Sequence, residues 1–246
     1  MGMLQRVVLA AGACAALAGP AWAGDREKAL AVVQEAIKAH GGEEGLLRSQ
    51  HVRRTGSGFL SLMGQKVPFT DEVLMSLPGR WRQAIEVDKR LRMTVVLNGD
   101  QGWQATGGMA MAMPRDLLDE YRENLYVQWV TTLAPLTKGP FDLSTLPEIK
   151  VNGKPALGVK AVNRGHPDLK LYFDKQTHLL VKLERQAREA GVSVKKEYVY
   201  SDHKSFEGVK LPTREVISLS GQQFTELSSA TYKFVSKPDA KEFGKP

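Results

Sequence analysis

From Leu171 to Glu215 the chain reads LYFDKQTHLLVKLERQAREAGVSVKKEYVYSDHKSFEGVKLPTRE. Four short runs of alternating apolar and polar residues are separated by three turn clusters, the pattern of consecutive antiparallel strands. Leu171 and Phe173 form the first run, and Asp174-Lys175-Gln176-Thr177 turns the chain. Leu179, Val181 and Leu183 share one face of the next strand, with Lys182 and Glu184 opposite. Glu189-Ala190-Gly191 turns again, Gly191 being free to take positive φ. Val194, Lys196, Tyr198 and Tyr200 alternate beyond it, and Phe206-Glu207-Gly208 leads into Val209 and Leu211. A sheet with one apolar and one polar face needs a cover on its apolar side.

The same period of two starts near Val52. The strand from there to about Met63 carries Gly56 and Gly58, which signal a bend or bulge. Val67, Phe69, Val73, Met75 and Leu77 alternate next, then Trp81, Ile85 and Val87, then Leu91, Met93, Val95 and Leu97. Asn98-Gly99-Asp100 turns into a strand from Gln101 to Thr106 around Trp103. Strand parity assigns Phe69, Trp81, Ile85, Met93 and Trp103 to one apolar wall. Strands resume at Glu148 to Val151, Ala156 to Asn163 and Leu169 to Phe173, and they end with Val209 to Leu219 and Gln223 to Phe234. The total is about ten strands, and the fold class is mainly β, within α+β.

Two helices are expected to supply the cover. Asp25 to His40 has a capping aspartate, a stripe of Leu30, Val33 and Ile37, and a Gly41-Gly42 stop, with a short helical turn from Glu43 to Arg48. Pro114 to Ala134 puts Leu118, Tyr121, Leu125 and Trp129 on one face. Between strands and helix, Gly107-Gly108-Met109-Ala110-Met111-Ala112-Met113-Pro114 reads as a flexible apolar loop. Thioether runs suit Cu(I), but methionine's flexibility also suits a surface that repacks around varied apolar partners. Met109, Met111 and Met113 therefore fit a lid beside the helix, with static core packing as the alternative. Lys237 to Pro246 reads as a tail.

The N-terminus has the features of an export signal: Arg6, an apolar run from Val7 to Gly19, and Ala21-Trp22-Ala23 as a small-x-small cleavage pattern. The expected division is a signal over 1–23 and one exported domain over 24–246. Cys14, the one cysteine, reads as an apolar filler of that signal; lipidation on it is disfavoured because Ala11 stands where a lipobox usually has leucine. Its removal leaves the mature chain without thiol chemistry. The formal charge of +7 is dispersed along the strands, so it points to a solvated surface rather than to nucleic acid.

None of His40, His51, His166, His178 and His203 forms a close-spaced ligand pair, and nucleophile-elbow, Walker and dinucleotide motifs are absent. Asp174 and Asp202 read as turn formers. The chain is therefore expected to be no enzyme, with no catalytic residue, metal or cofactor.

Several local pieces follow one another along nearly the whole mature chain. They are the helix end Ala39-His40-Gly41-Gly42, the turn Asn98-Gly99-Asp100-Gln101-Gly102-Trp103, and Tyr172-Phe173-Asp174 with Thr177 and Leu179-Leu180. Tyr200-Ser201-Asp202-His203-Lys204, Gly208-Val209-Lys210-Leu211-Pro212 and Phe243-Gly244-Lys245-Pro246 complete the set. In this order they resemble the LolA/LolB-like outer-membrane lipoprotein-sorting superfamily. The resemblance implies a strongly curved antiparallel sheet, an incomplete β-barrel whose concave apolar face is covered by helices. It also implies an ordered C-terminus and a lid held by an arginine, for which Arg80, Arg82 and Arg92 are candidates.

The function implied is that of a periplasmic carrier that shelters the acyl chains of a lipoprotein or lipid during sorting to the outer membrane. Its partners are those acyl chains and a membrane-associated delivery protein; nucleic acid is not expected, and the carrier is expected to be a monomer. Each buried methylene yields about 0.8 kcal/mol, so a short length of chain gives useful affinity without polar recognition. The expected cavity wall and lid are Phe69, Trp81, Ile85, Met93, Trp103, Met109, Met111, Met113, Leu118 and Tyr121. Relatives of this fold also act as envelope-stress sensors, so a sensor or scaffold that binds a protein partner is the alternative.

Overall fold

The computed structural model describes residues 21–246. Cys14 and most of the expected export signal lie outside that range. Two helices come first, α1 (Ala21–Ala39) and α2 (Gly42–Arg48). Six strands follow: β1 (His51–Leu62), β2 (Gln65–Ser76), β3 (Arg80–Val87), β4 (Leu91–Asn98), β5 (Gln101–Thr106) and β6 (Met109–Ala112). The chain then forms α3 (Arg115–Val130) and α4 (Ala134–Lys138). Seven more strands complete the sheet: β7 (Asp142–Val151), β8 (Lys154–Val162), β9 (Leu169–Asp174), β10 (Leu180–Glu189), β11 (Val192–Phe206), β12 (Val209–Leu219) and β13 (Gln222–Phe234). A 3-10 turn, Ala240–Phe243, ends the chain.

All thirteen strands belong to one antiparallel sheet, in the order β6-β5-β4-β3-β2-β1-β13-β12-β11-β10-β9-β8-β7. Every pairing but one joins neighbours in sequence; the exception is the seam between β1 and β13 at the middle of the sheet. The edge strands β6 and β7 do not pair with each other, so the sheet is an incomplete barrel. The register of β1 on β13 shifts between Ser57 and Gly58, and such bulges increase local bend and twist. Gly58 is required there, because a Cβ would stand 1.9 Å from the carbonyl oxygen of Glu226.

The inner face carries most of the core. Leu171, Phe173, Leu183, Tyr198 and Tyr200 pack with Val33 of α1 and Val127 and Val130 of α3. Val52, Met75, Leu97 and Met113 pack with Leu118 and Leu125 of α3. Trp129 touches both groups and so joins the two walls. Among the described residues no helix is long and apolar enough to cross a membrane.

Several expectations need correction. The Gly107–Pro114 segment is a hairpin, with β6 paired to β5, and β7 begins at Asp142 rather than near Glu148. The single helix expected over Pro114–Ala134 breaks after Val130, where Leu133 takes a φ of 62°, and resumes as α4. Asp25 does not cap α1, which already runs from Ala21; its carboxylate accepts from the Thr145 N–H at 3.3 Å. Leu179, Val181 and Leu183 do not share a face. A register shift between Leu180 and Lys182 turns Leu180 and Leu183 inward and puts Val181 outside with Tyr172. The C-terminal residues are no free tail, since Phe243 is fully buried on the outer face against Leu74, Val96 and Trp103.

Candidate functional site

Register decides which side chains meet beneath the helices. Val52, Met75, Trp81, Leu97 and Gly102 are successive cross-strand partners from β1 to β5, so they share the inner face. α3 lies directly on this wall: a Cβ at Gly102 would approach Leu118 Cδ1 to 2.7 Å and Met113 Sδ to 2.9 Å. Tyr121 of α3 packs on Trp81 with ring centroids 5.8 Å apart.

On the opposite wall, α3 is held by polar side chains. Arg185 of β10 donates to Asn124 Oδ1 at 2.6 Å, and Lys196 of β11 reaches the same oxygen at 3.3 Å. Glu120 accepts from the backbone N–H groups of Gly191 and Ala190 at 2.9 and 3.2 Å. Glu123 meets His166 at 3.1 Å, and that imidazole stacks on Tyr126 at 3.6 Å. Among the described residues, α3 forms no backbone-to-backbone hydrogen bond with the sheet.

α1 is fastened differently. His40, at its C-terminal end, donates from Nδ1 to the Lys210 carbonyl at 2.7 Å and accepts at Nε2 from the Leu180 N–H at 3.0 Å. Its own carbonyl accepts from the Lys210 N–H at 2.9 Å. Gly41 takes a φ of 115°, and a Cβ there would lie 2.3 Å from the Gly208 carbonyl oxygen. Burial holds the His40 imidazole down at about 4, outweighing the bond to Lys210.

A cavity of about 100 Å³ remains beneath α2 and the C-terminal part of α3. Leu46, Val52, Met75, Leu77, Leu180 and Leu211 give it apolar walls, and Tyr200, His203, Glu215 and Tyr232 add polar groups. Burial raises the Glu215 carboxyl and the Tyr200 hydroxyl, and pushes Tyr232 up to about 12. Glu215 is half-buried and is one of the lining residues. Beside it β12 and β13 part company: their pairing runs only between Glu215 and Leu219 on β12 and Gln222 and Leu227 on β13. An outer groove lies at this split, and His203 lines both groove and cavity. Tyr232 spans the split by donating to the Pro212 carbonyl at 2.8 Å.

The structure separates the ten residues expected at the site. Trp81, Met113, Leu118 and Tyr121 gather under and along α3. Phe69 and Ile85 belong to a further cluster with Val87, Leu227 and Ala230, and Met93 is the cross-strand neighbour of Ile85. Trp103 is on the outer face: the turn Asn98–Gln101 pairs it with Val96 rather than Leu97, against Phe243. Met109 and Met111 are exposed on the edge hairpin, at 75% and 71%, so they form no lid over the inner face. None of the ten lines the cavity. Arg80, Arg82 and Arg92 share the outer register, Arg92 pairing there with Glu86, and the arginine that reaches α3 is Arg185. Asp174 closes its turn by accepting from the Gln176 and Thr177 N–H groups. Asp202 instead lies inside β11 with a φ of 53°.

No model of a protein family matches the sequence, and no curated protein does. Solved structures do match. A LolA superfamily protein from Nitrosomonas europaea is similar over 88% of this chain and 97% of its own, with a TM-score of 0.57 and 13% identity. A DUF1329 family protein from Desulfovibrio piger aligns over 88% and 97%, with a TM-score of 0.55 and 11% identity. A domain named for outer membrane lipoprotein sorting, from Vibrio parahaemolyticus, aligns over 89% and 97%, with a TM-score of 0.53 and 12% identity. The chain has the LolA-like fold.

Proposed function

We propose that this protein is a periplasmic carrier, exported by the signal within residues 1–23, that shelters acyl chains between its curved sheet and its helices while lipoproteins are sorted to the outer membrane. The observation that supports this most is the unequal fastening of the helices. His40 and Gly41 tie α1 into the backbone of β10 and β12, whereas α3 rests on the inner face through side chains alone. The cavity of about 100 Å³ is well below the roughly 300–1,000 Å³ of a typical ligand pocket. Loading therefore requires α3 to move outward. That motion uncovers Trp81, Met113 and Leu125 beside the cavity, and an acyl chain would replace the apolar contacts they lose.

Native mass spectrometry of protein extracted from the cell envelope without detergent tests the reading, together with titration of a fluorescent fatty acid. The expected result is co-purified lipid or lipoprotein and saturable uptake of the probe. Arg185→Ala should speed that uptake about tenfold by releasing α3, in line with the loss of a charge-assisted hydrogen bond. Recovery free of lipid, with no probe binding, overturns the carrier reading and favours a sensor or scaffold that binds a protein partner.

A further inference from the structure

The cavity's polar groups are unequally occupied. Tyr232 gives its hydroxyl hydrogen to Pro212, and Ser49, Thr131 and Thr132 give theirs to the carbonyls of Leu46, Gln128 and Trp129. Among the described residues, Tyr200 Oη and His203 Nε2 are buried and have no partner. Tyr200 is only 6% exposed, sits at the lining, and is the cross-strand neighbour of Glu215, which lines the same space. Among the described residues, no lysine or arginine lines the cavity. Arg54, Lys196 and Asp71 act on Glu215 from outside the lining, and burial still dominates and favours its uncharged form.

We propose that this cavity receives the uncharged, carbonyl-bearing end of an acylated molecule, an acyl ester, with the Tyr200 hydroxyl donating to the ester carbonyl and the hydrocarbon chain running under α3. The inference rests on the carrier reading and adds the chemistry of the cargo's polar end. An ester carbonyl accepts a hydrogen bond without bringing a charge out of water. A carboxylate or a phosphate would leave water for a lining without lysine or arginine, and its charge would go unpaired. Tyr200 thus has the character of a group kept unsatisfied for a ligand, because a hydroxyl with only a structural role would be bonded within the protein.

The test is displacement of a fluorescent acyl probe from the delipidated full chain at neutral pH. The competitors are a monoacylglycerol, a free fatty acid and a lysophosphatidic acid of equal chain length. The monoacylglycerol should act at about tenfold lower concentration than either anion. Tyr200→Phe should weaken monoacylglycerol binding about tenfold, leave the fatty acid unchanged, and raise the Tm of the delipidated protein by about 2–4 °C, since it removes an unsatisfied buried hydroxyl. Glu215→Gln should keep the ester preference. Equal displacement by ester and acid overturns this inference and leaves the carrier intact, whereas no displacement of a bound probe by any acyl competitor, or no probe binding at all, removes both. A Tyr200→Phe protein with lower stability and uniformly weaker binding makes the hydroxyl structural and also overturns it.

Discussion

Replacing His40 with alanine should lower the melting temperature by about 10 °C. The ring is 4% exposed and satisfies two backbone groups far apart in sequence, the Lys210 carbonyl and the Leu180 N–H. Each buried group left without a partner costs about 1–3 kcal/mol, and the lost ring adds a cavity. The total is roughly 3–5 kcal/mol, and each kcal/mol shifts a domain of this size by about 2–4 °C. The same residue sets a pH dependence. Its folded value of about 4 lies below the ordinary 6.5, so the unfolded chain takes up a proton that the folded chain refuses as pH falls between these values. Above 6.5 the stability is fully present, and by pH 4 about 3 kcal/mol is lost. His203, whose pKa burial also lowers, acts in the same direction. Denaturant midpoints from pH 7 to 4 should therefore fall less steeply in His40→Gln than in the wild type. Parallel slopes would show that the imidazole is not the titrating group.

Asp71→Ala should cost a similar amount through a different mechanism. Asp71 lies on the inner face of β2 with its side chain 1% exposed, bound to Arg54 at 2.5 Å and to Gln83 at 2.7 Å. Arg54 is itself only 14% exposed. Removing the carboxylate strands a guanidinium away from water, which costs about 3–5 kcal/mol, whereas replacing both partners with apolar residues is often neutral. Arg54→Met with Asp71→Leu should thus recover most of the loss in urea denaturation. A double variant as unstable as Asp71→Ala would mean that the carboxylate acts through some contact other than Arg54.

The strands were legible because their period of two is sustained, and the helices because Leu118, Tyr121, Leu125 and Trp129 repeat at helical spacing. Face assignment failed where a turn or bulge resets the count. Trp81 and Trp103 look equivalent along the chain, but the tight turn at Gly99 and Asp100 pairs Trp103 with Val96 and sends it outward. Met111 and Met113 share the inner register, yet only Met113 is covered by α3, and chain order does not show where a helix stops covering an edge. Arg185, Glu215 and Tyr200 looked like ordinary alternating strand residues. Their importance comes from what crosses above them. Turn chemistry carries the sequence signal of the His40 clamp: Ala39-His40-Gly41-Gly42, Leu179-Leu180 and the stretch from Gly208 to Leu211 are far apart along the chain and meet in space.

The two edges of the sheet are β6 and β7, and the helical crossing departs from one and arrives at the other. A swing of that crossing therefore breaks no rung of the strand ladder. Such a swing would leave the β1–β13 seam at the middle of the sheet untouched.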